Sequence, residues 1–124
     1  MEFILACLIE IEKAKLGGQR FEPYRFTSSR SRRVADQLNW LIMSLGTDGK
    51  DGSTDAAGAW IEPGVFDSIQ KLCLSPEKAL ANNDSYNFFK KTGHLIYTGS
   101  TQTNVMDLRL FLLGFGEDTA TSPP

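Results

Sequence analysis

One histidine and two cysteines are the whole supply of imidazole and thiol in this 124-residue chain. Cys7 and Cys73 have no metal-like spacing and read as reduced core thiols, with a disulfide between them as the alternative. His94 has no Cys or Asp pattern beside it that would make it a ligand or a base, and it reads as a surface or strand-edge residue. No Gly-x-Ser-x-Gly elbow and no Cys/His pairing pattern occurs, so nothing points to nucleophilic catalysis. No stretch approaches the ~20 apolar residues of a membrane span. Met1–Ile11 carries Glu2 and Glu10 and lacks the basic start of a secretory signal. The expected compartment is the cytoplasm, with the mitochondrion left open. Neither sign of charge dominates: 13 basic against 15 acidic residues leave a net charge of −2, which gives no reason to invoke nucleic acid or a membrane surface. There is no internal repeat.

What is present suits one globular domain of ordinary composition. Phe3, Ile4, Cys7, Leu8 and Ile11 recur at helical spacing, and Gly17-Gly18 can end a helix, so the pattern predicts a helix over 2–16. Residues 17–37 hold Arg20, Arg25, Arg30, Arg32 and Arg33 without apolar periodicity. They read as a solvated loop insertion, against the sharper reading of a basic arm for phosphate or an acidic partner. Leu38–Leu45 is almost continuously apolar and too short for a typical helix. It predicts a strand buried on both faces, as in a parallel or mixed α/β sheet. Ala56–Ile61 reads as a strand or a helical turn, and periodicity does not decide between them.

Three short helices are expected next. Pro63 and the stripe Val65, Phe66, Ile69, Leu72 mark the first. Ser75-Pro76-Glu77 gives the second a cap, a first-turn proline and an acidic first turn. Asp84 is placed to cap the third, which carries Tyr86, Phe88 and Phe89 and stops at Gly93. Leu95–Tyr97 and Leu108–Leu113 read as strands, and the tail 114–124 as disordered. The expected fold is a single-domain α/β layered sandwich with a mixed sheet over 1–113.

The densest chemistry lies in Gly46-Thr47-Asp48-Gly49-Lys50-Asp51-Gly52-Ser53-Thr54-Asp55. Glycines let backbone turn sharply and approach a ligand, backbone N–H groups in such turns can cradle an anion, and aspartates can hold Mg²⁺ or orient a hydroxyl. The loop also leaves the carboxyl end of a strand, where α/β sheets bind ligands. The plain reading is a turn rich in turn-formers. Two named motifs are excluded. A calcium loop would need an acid or Asn at Lys50 and a glutamate at Ala59, and a P-loop would need Ser or Thr at Asp51. A second hydroxyl-rich loop, Thr98-Gly99-Ser100-Thr101-Gln102-Thr103-Asn104, suits phosphate or sugar-like hydroxyls, or simply bonds to its own backbone. Asn82-Asn83-Asp84-Ser85 is a third polar cluster, readable as a helix cap alone. Trp40 and Trp60 read as core residues rather than stacking platforms.

In order and spacing, the run from Gly46 to Ala59, the segment Asn83-Asp84-Ser85-x-x-Phe88-Phe89, and the run from Thr98 to Asp107 resemble the MOFRL domain. That domain is the C-terminal part of glycerate kinases that phosphorylate the 2-hydroxyl of glycerate, whose bacterial relatives are often labelled hydroxypyruvate reductases. Ala57-Gly58-Ala59-Trp60 is closer to the animal versions. The resemblance covers roughly residues 2–113. It implies phosphoryl transfer from ATP with Mg²⁺, in a cleft between this domain and a larger N-terminal kinase domain. It also implies site roles. Asp48 and Asp51 would act in catalysis or hold the metal. Thr47, Gly49, Gly52, Thr54, Asp55, Gly99, Thr101, Thr103 and Asn104 would bind substrate or phosphate.

Two features depart from the family. It enters this domain through Gly-Gly-Arg-Asn-Gln-Glu, of which only the final glutamate is matched, by Glu2. The family's usual glycine in Thr-Gly-x-Thr-Gly-Thr-Asn is Gln102, which would be strained if the position needs a positive φ. The leading expectation is a kinase domain that needs the larger one for activity. The alternative is a non-catalytic truncated module that binds a partner or a small phosphorylated ligand and displays an apolar docking surface. A plain reductase ranks last, because no Gly-x-Gly-x-x-Gly fingerprint is present.

Overall fold

A computed structural model describes residues 1–16 and 38–115. The basic segment 17–37 and the tail beyond Phe115 lie outside the described residues, so the readings of a loop insertion and of a disordered tail are not addressed there. The elements run α1 (Glu2–Leu16), β1 (Leu38–Gly46), β2 (Gly58–Ile61), α2 (Val65–Lys71), α3 (Pro76–Ala81), α4 (Ser85–Thr92), β3 (Leu95–Ile96) and β4 (Asp107–Phe115).

The helix boundaries follow local chemistry. Ser75 caps α3 by accepting the Lys78 N–H at 3.3 Å, with Pro76 in the first turn. Gly93 closes α4 in the left-handed conformation at φ 78°. Asp84 occupies the α4 cap position but makes no side-chain cap bond; its Oδ1 accepts the Asn87 side-chain amide at 2.6 Å instead.

The strands form one sheet in the order β3-β2-β1-β4. The α/β class holds, but the expectation of a mixed sheet does not. β1 pairs antiparallel with both β2 and β4, and β2 pairs antiparallel with β3. A buried-looking apolar run carries no information on strand direction, which is set by how the connections return. Ala56–Ile61 resolves as strand β2, and β4 runs through Gly114 to Phe115, past the expected start of the tail.

The strand pleat decides where the core sits. Trp40, Ile42 and Ser44 of β1 share a face with Ile61 and Ala59 of β2. On that face lie Ile4, Leu5 and Leu8 of α1, Val65 and Ile69 of α2, and Phe88 and Phe89 of α4, in one buried cluster. Leu80 of α3 packs against the same cluster. The four described helices thus cover one face of the sheet. On the other face, Leu41, Met43 and Leu45 register with Leu112, Leu110 and Leu108 of β4. The three β4 leucines are exposed, and their β1 partners are half-buried. Among the described residues, β1 is therefore covered on one face only, not on both.

Three smaller readings change. Cys7 is half-buried but Cys73 is exposed. His94 is buried rather than on the surface, packed against Trp60 with ring centroids 4.7 Å apart and the planes tilted by 50°. Trp40 packs against the core, whereas Trp60 is half-buried in register with Met43 of the uncovered face. No described helix is long and apolar enough to cross a membrane.

Candidate functional site

β1 delivers its chain at Gly46 to the loop 47–57, and β3 delivers the loop 97–106 to the same end of the sheet. The two loops are welded together. The Thr101 N–H donates to the Asp48 carbonyl at 3.3 Å, and the Thr101 hydroxyl donates to the Thr47 carbonyl. The Thr47 N–H and hydroxyl both donate to the Met106 carbonyl, at 3.1 and 2.7 Å, and the Thr47 hydroxyl accepts the Val105 N–H at 2.8 Å. Asn104 Oδ1 accepts the Met106 N–H at 2.9 Å and fixes the turn into β4.

Gly49 sits at the tightest point. Its φ is +92°, and a Cβ there would lie 1.9 Å from the Gly99 carbonyl oxygen. Only glycine permits both the conformation and the approach. Gln102 sits at φ 58° and Met106 at φ 72°, so the strain expected for a side chain at position 102 is present.

The far half of the first loop is tied to the helices. The Asp51 carboxylate accepts from the Met1 ammonium at the start of α1. The Thr54 hydroxyl donates to the Asp51 carbonyl at 2.8 Å. Asp55 accepts the Tyr86 hydroxyl of α4 at 2.7 Å, and this bond, aided by Tyr97, holds the Tyr86 phenol protonated well above its ordinary range. Ser85 donates to Glu2 at 2.7 Å, joining α4 to α1. So Ser85 of the third polar cluster ties α4 to α1, and its neighbour Tyr86 braces the loop.

The expected site residues therefore divide. Thr47, Asp48, Gly49, Gly99, Thr101 and Asn104 meet in one rim, with Thr103 accepting a Thr101 bond through its carbonyl at 3.2 Å. Asp51 and Asp55 are tied to the helical side, Thr54 bonds within its own loop, and Gly52 turns at φ 60° with open space around it. Several hydroxyls read as ligand-binding spend their hydrogen on the loops themselves. Among the described residues, the Lys50 ammonium, the Thr103 hydroxyl and the Asn104 side-chain N–H groups have no partner. Sequence reasoning missed Tyr86, because its link to Asp55 spans 31 positions and leaves no local signal.

No group of three or more His, Cys, Asp or Glu is placed to hold a metal among the described residues. Mg²⁺ in phosphoryl-transfer sites needs only one or two carboxylates, the rest of its ligands being phosphate and water. Asp48 at the rim, with Oδ1 accepting the Lys50 N–H at 3.0 Å, fits that requirement.

The MOFRL family pattern matches residues 5–107. A glycerate kinase of Macaca fascicularis is 38% identical over 109 residues, a match that covers 85% of this chain and 28% of that protein. A putative hydroxypyruvate reductase of Agrobacterium vitis is 44% identical over 75 residues, covering 60% of this chain and 17% of its own. The crystal structure of glycerate kinase from Thermotoga maritima superposes with a TM-score of 0.59 at 43% identity, covering 61% of this chain and 18% of that one. The chain thus spans less than a third of the length of each of these relatives.

Proposed function

The chain belongs to the MOFRL family, and from that premise we propose that it is the C-terminal part of a glycerate kinase. It would supply one wall of a cleft in which ATP phosphorylates glycerate, the other wall belonging to the larger N-terminal kinase domain. The observation that carries this reading is the weld between the Gly46–Asp55 and Thr98–Asn104 loops at Gly49 and Gly99. It makes a rigid polar rim at the strand ends, with unpartnered donors on Lys50, Thr103 and Asn104 among the described residues.

The chemistry asked of such a rim is positioning and charge stabilisation. The Lys50 ammonium and the Asn104 amide are donors suited to phosphoryl or carboxylate oxygens. Asp48 would hold Mg²⁺, which shields phosphate charge during transfer. Thr47 and Thr101 act one step back, keeping the two loops in register.

The test mixes the chain with ATP, Mg²⁺ and glycerate, alone and with the remaining part of the Thermotoga maritima glycerate kinase. We expect phosphoglycerate only when both parts are present. Phosphorylation by the 124 residues alone, or none from the pair, would reject the reading.

Gln102 at φ 58° favours the second reading, a non-catalytic partner-binding module. If Gln102→Gly leaves transfer by the paired parts no higher than before, the module reading gains; if it raises transfer, the strained position belongs to an active rim.

A further inference from the structure

The sheet has two edges, and they differ. β3 is two residues long, whereas β4 is nine, and β4 lies at the end of the order β3-β2-β1-β4. Long free edges present unpaired N–H and C=O groups, and proteins ordinarily blunt them with charge, proline or a covering element. Among the described residues, β4 is blunted weakly. It has no proline, and its only charges are Asp107 at its start and Arg109, whose guanidinium lies 4.1 Å from the centre of the Phe3 ring. Phe111 and Leu113 on the helix side are exposed by 55 and 72%, and Leu108 and Leu112 on the other side by 49 and 52%.

We propose that β4 receives an added β-strand from the larger part of a glycerate kinase, and that the same body covers the leucine face beside it. The backbone of the edge calls for an extended strand, and the side chains flanking it call for an apolar one. A second copy of this chain could pair β4 with β4. That pairing would still leave Leu41, Met43 and Leu45 with Leu108, Leu110 and Leu112 uncovered on both copies. Edge and face are contiguous, so one larger body must satisfy both. The relatives carry such a body: the matched region is 28% of the Macaca protein and 18% of the Thermotoga chain. The inference rests on the kinase reading for the identity of the partner.

The two parts are mixed as above, and amide hydrogen exchange is followed across 107–115. In the chain alone, β4 amides that bond to β1 should exchange slowly and the alternate ones quickly. With the larger part of the Thermotoga enzyme present, the fast set should slow tenfold or more. Leu112→Asp should weaken the association at least tenfold while the slow set stays slow; should that variant unfold, the exchange pattern of the unaltered chain decides alone. Association with the fast set unchanged, no association at all, or equal slowing in a dimer of the chain would each overturn the proposal. Slowing without phosphotransfer would retain strand addition and remove the kinase reading. Phosphotransfer without slowing would do the reverse.

Discussion

At Gly49 the whole site turns on one missing carbon. A Cβ would lie 1.9 Å from the Gly99 carbonyl oxygen, on a backbone already at φ +92°. Gly49→Ala must either separate the loops or distort both, at a cost of roughly 1–3 kcal/mol. Its thermal midpoint should fall by several degrees and the Thr101–Asp48 bond should be lost, which amide exchange at Thr101 would read. Gln102 is the reverse case, a side chain held at φ 58° where glycine would rest without strain. Gln102→Gly should stabilise the chain by up to about 1 kcal/mol, the left-handed penalty less the greater entropy of glycine in the unfolded chain. A higher urea midpoint at unchanged slope would show it. Tyr86 gives a pH signature. Its phenol donates to Asp55, so the native state keeps that proton beyond the ordinary value of 10.0. A raised pKa makes the bond's contribution complete below pH 10 and diminishing as pH climbs toward the folded value. In an alkaline titration of tyrosinate absorbance, one of the three tyrosines should lag, and Tyr86→Phe should remove the lag.

Elements show which parts of the fold were legible beforehand. α1 was plain, because Phe3, Ile4, Cys7, Leu8 and Ile11 repeat on one side, and Ile4 and Leu8 are fully buried. Leu5 is buried as well, so Leu5→Ala should destabilise by about 2–5 kcal/mol. Against a typical total of about 5–15 kcal/mol, a urea midpoint would register that loss clearly. The caps of α3 and α4 were legible for the same reason: Ser75, Pro76 and Gly93 act within one turn. β1 was legible as a strand but not in its surroundings. Its unbroken apolar run says that both faces avoid water, and does not say whether this chain covers both. Strand direction was equally hidden, since Ile42 meets Ile61 and Phe111 only through long-range pairing. The candidate loops were legible by composition. Their weld, and the brace from Tyr86 and Ser85, depend on contacts 31 to 83 positions apart and were not.

At the scale of the molecule, the described residues form a two-layer body with one bare side. Helices cover the face of Trp40, Ile42, Ala59 and Ile61, and among the described residues nothing covers the leucines of β4 opposite. A patch of this kind on a natural chain marks an interaction surface more often than an accident. It also couples the two proposals geometrically: Asp107 opens β4 immediately after Met106, whose carbonyl is bonded to Thr47 in the rim. A body docked along β4 would thus end beside the polar loops, where the proposed cleft would take its second wall. The isolated chain should bind a dye such as anilinonaphthalene sulfonate while natively folded. The double variant Leu108→Lys with Leu112→Lys should abolish that binding and leave the urea midpoint nearly unchanged, because exposed positions typically shift stability by no more than about 0.5 kcal/mol. If the leucines instead packed within this domain, the same variant would lower the midpoint sharply, and the bare face would have to be reassigned to the core.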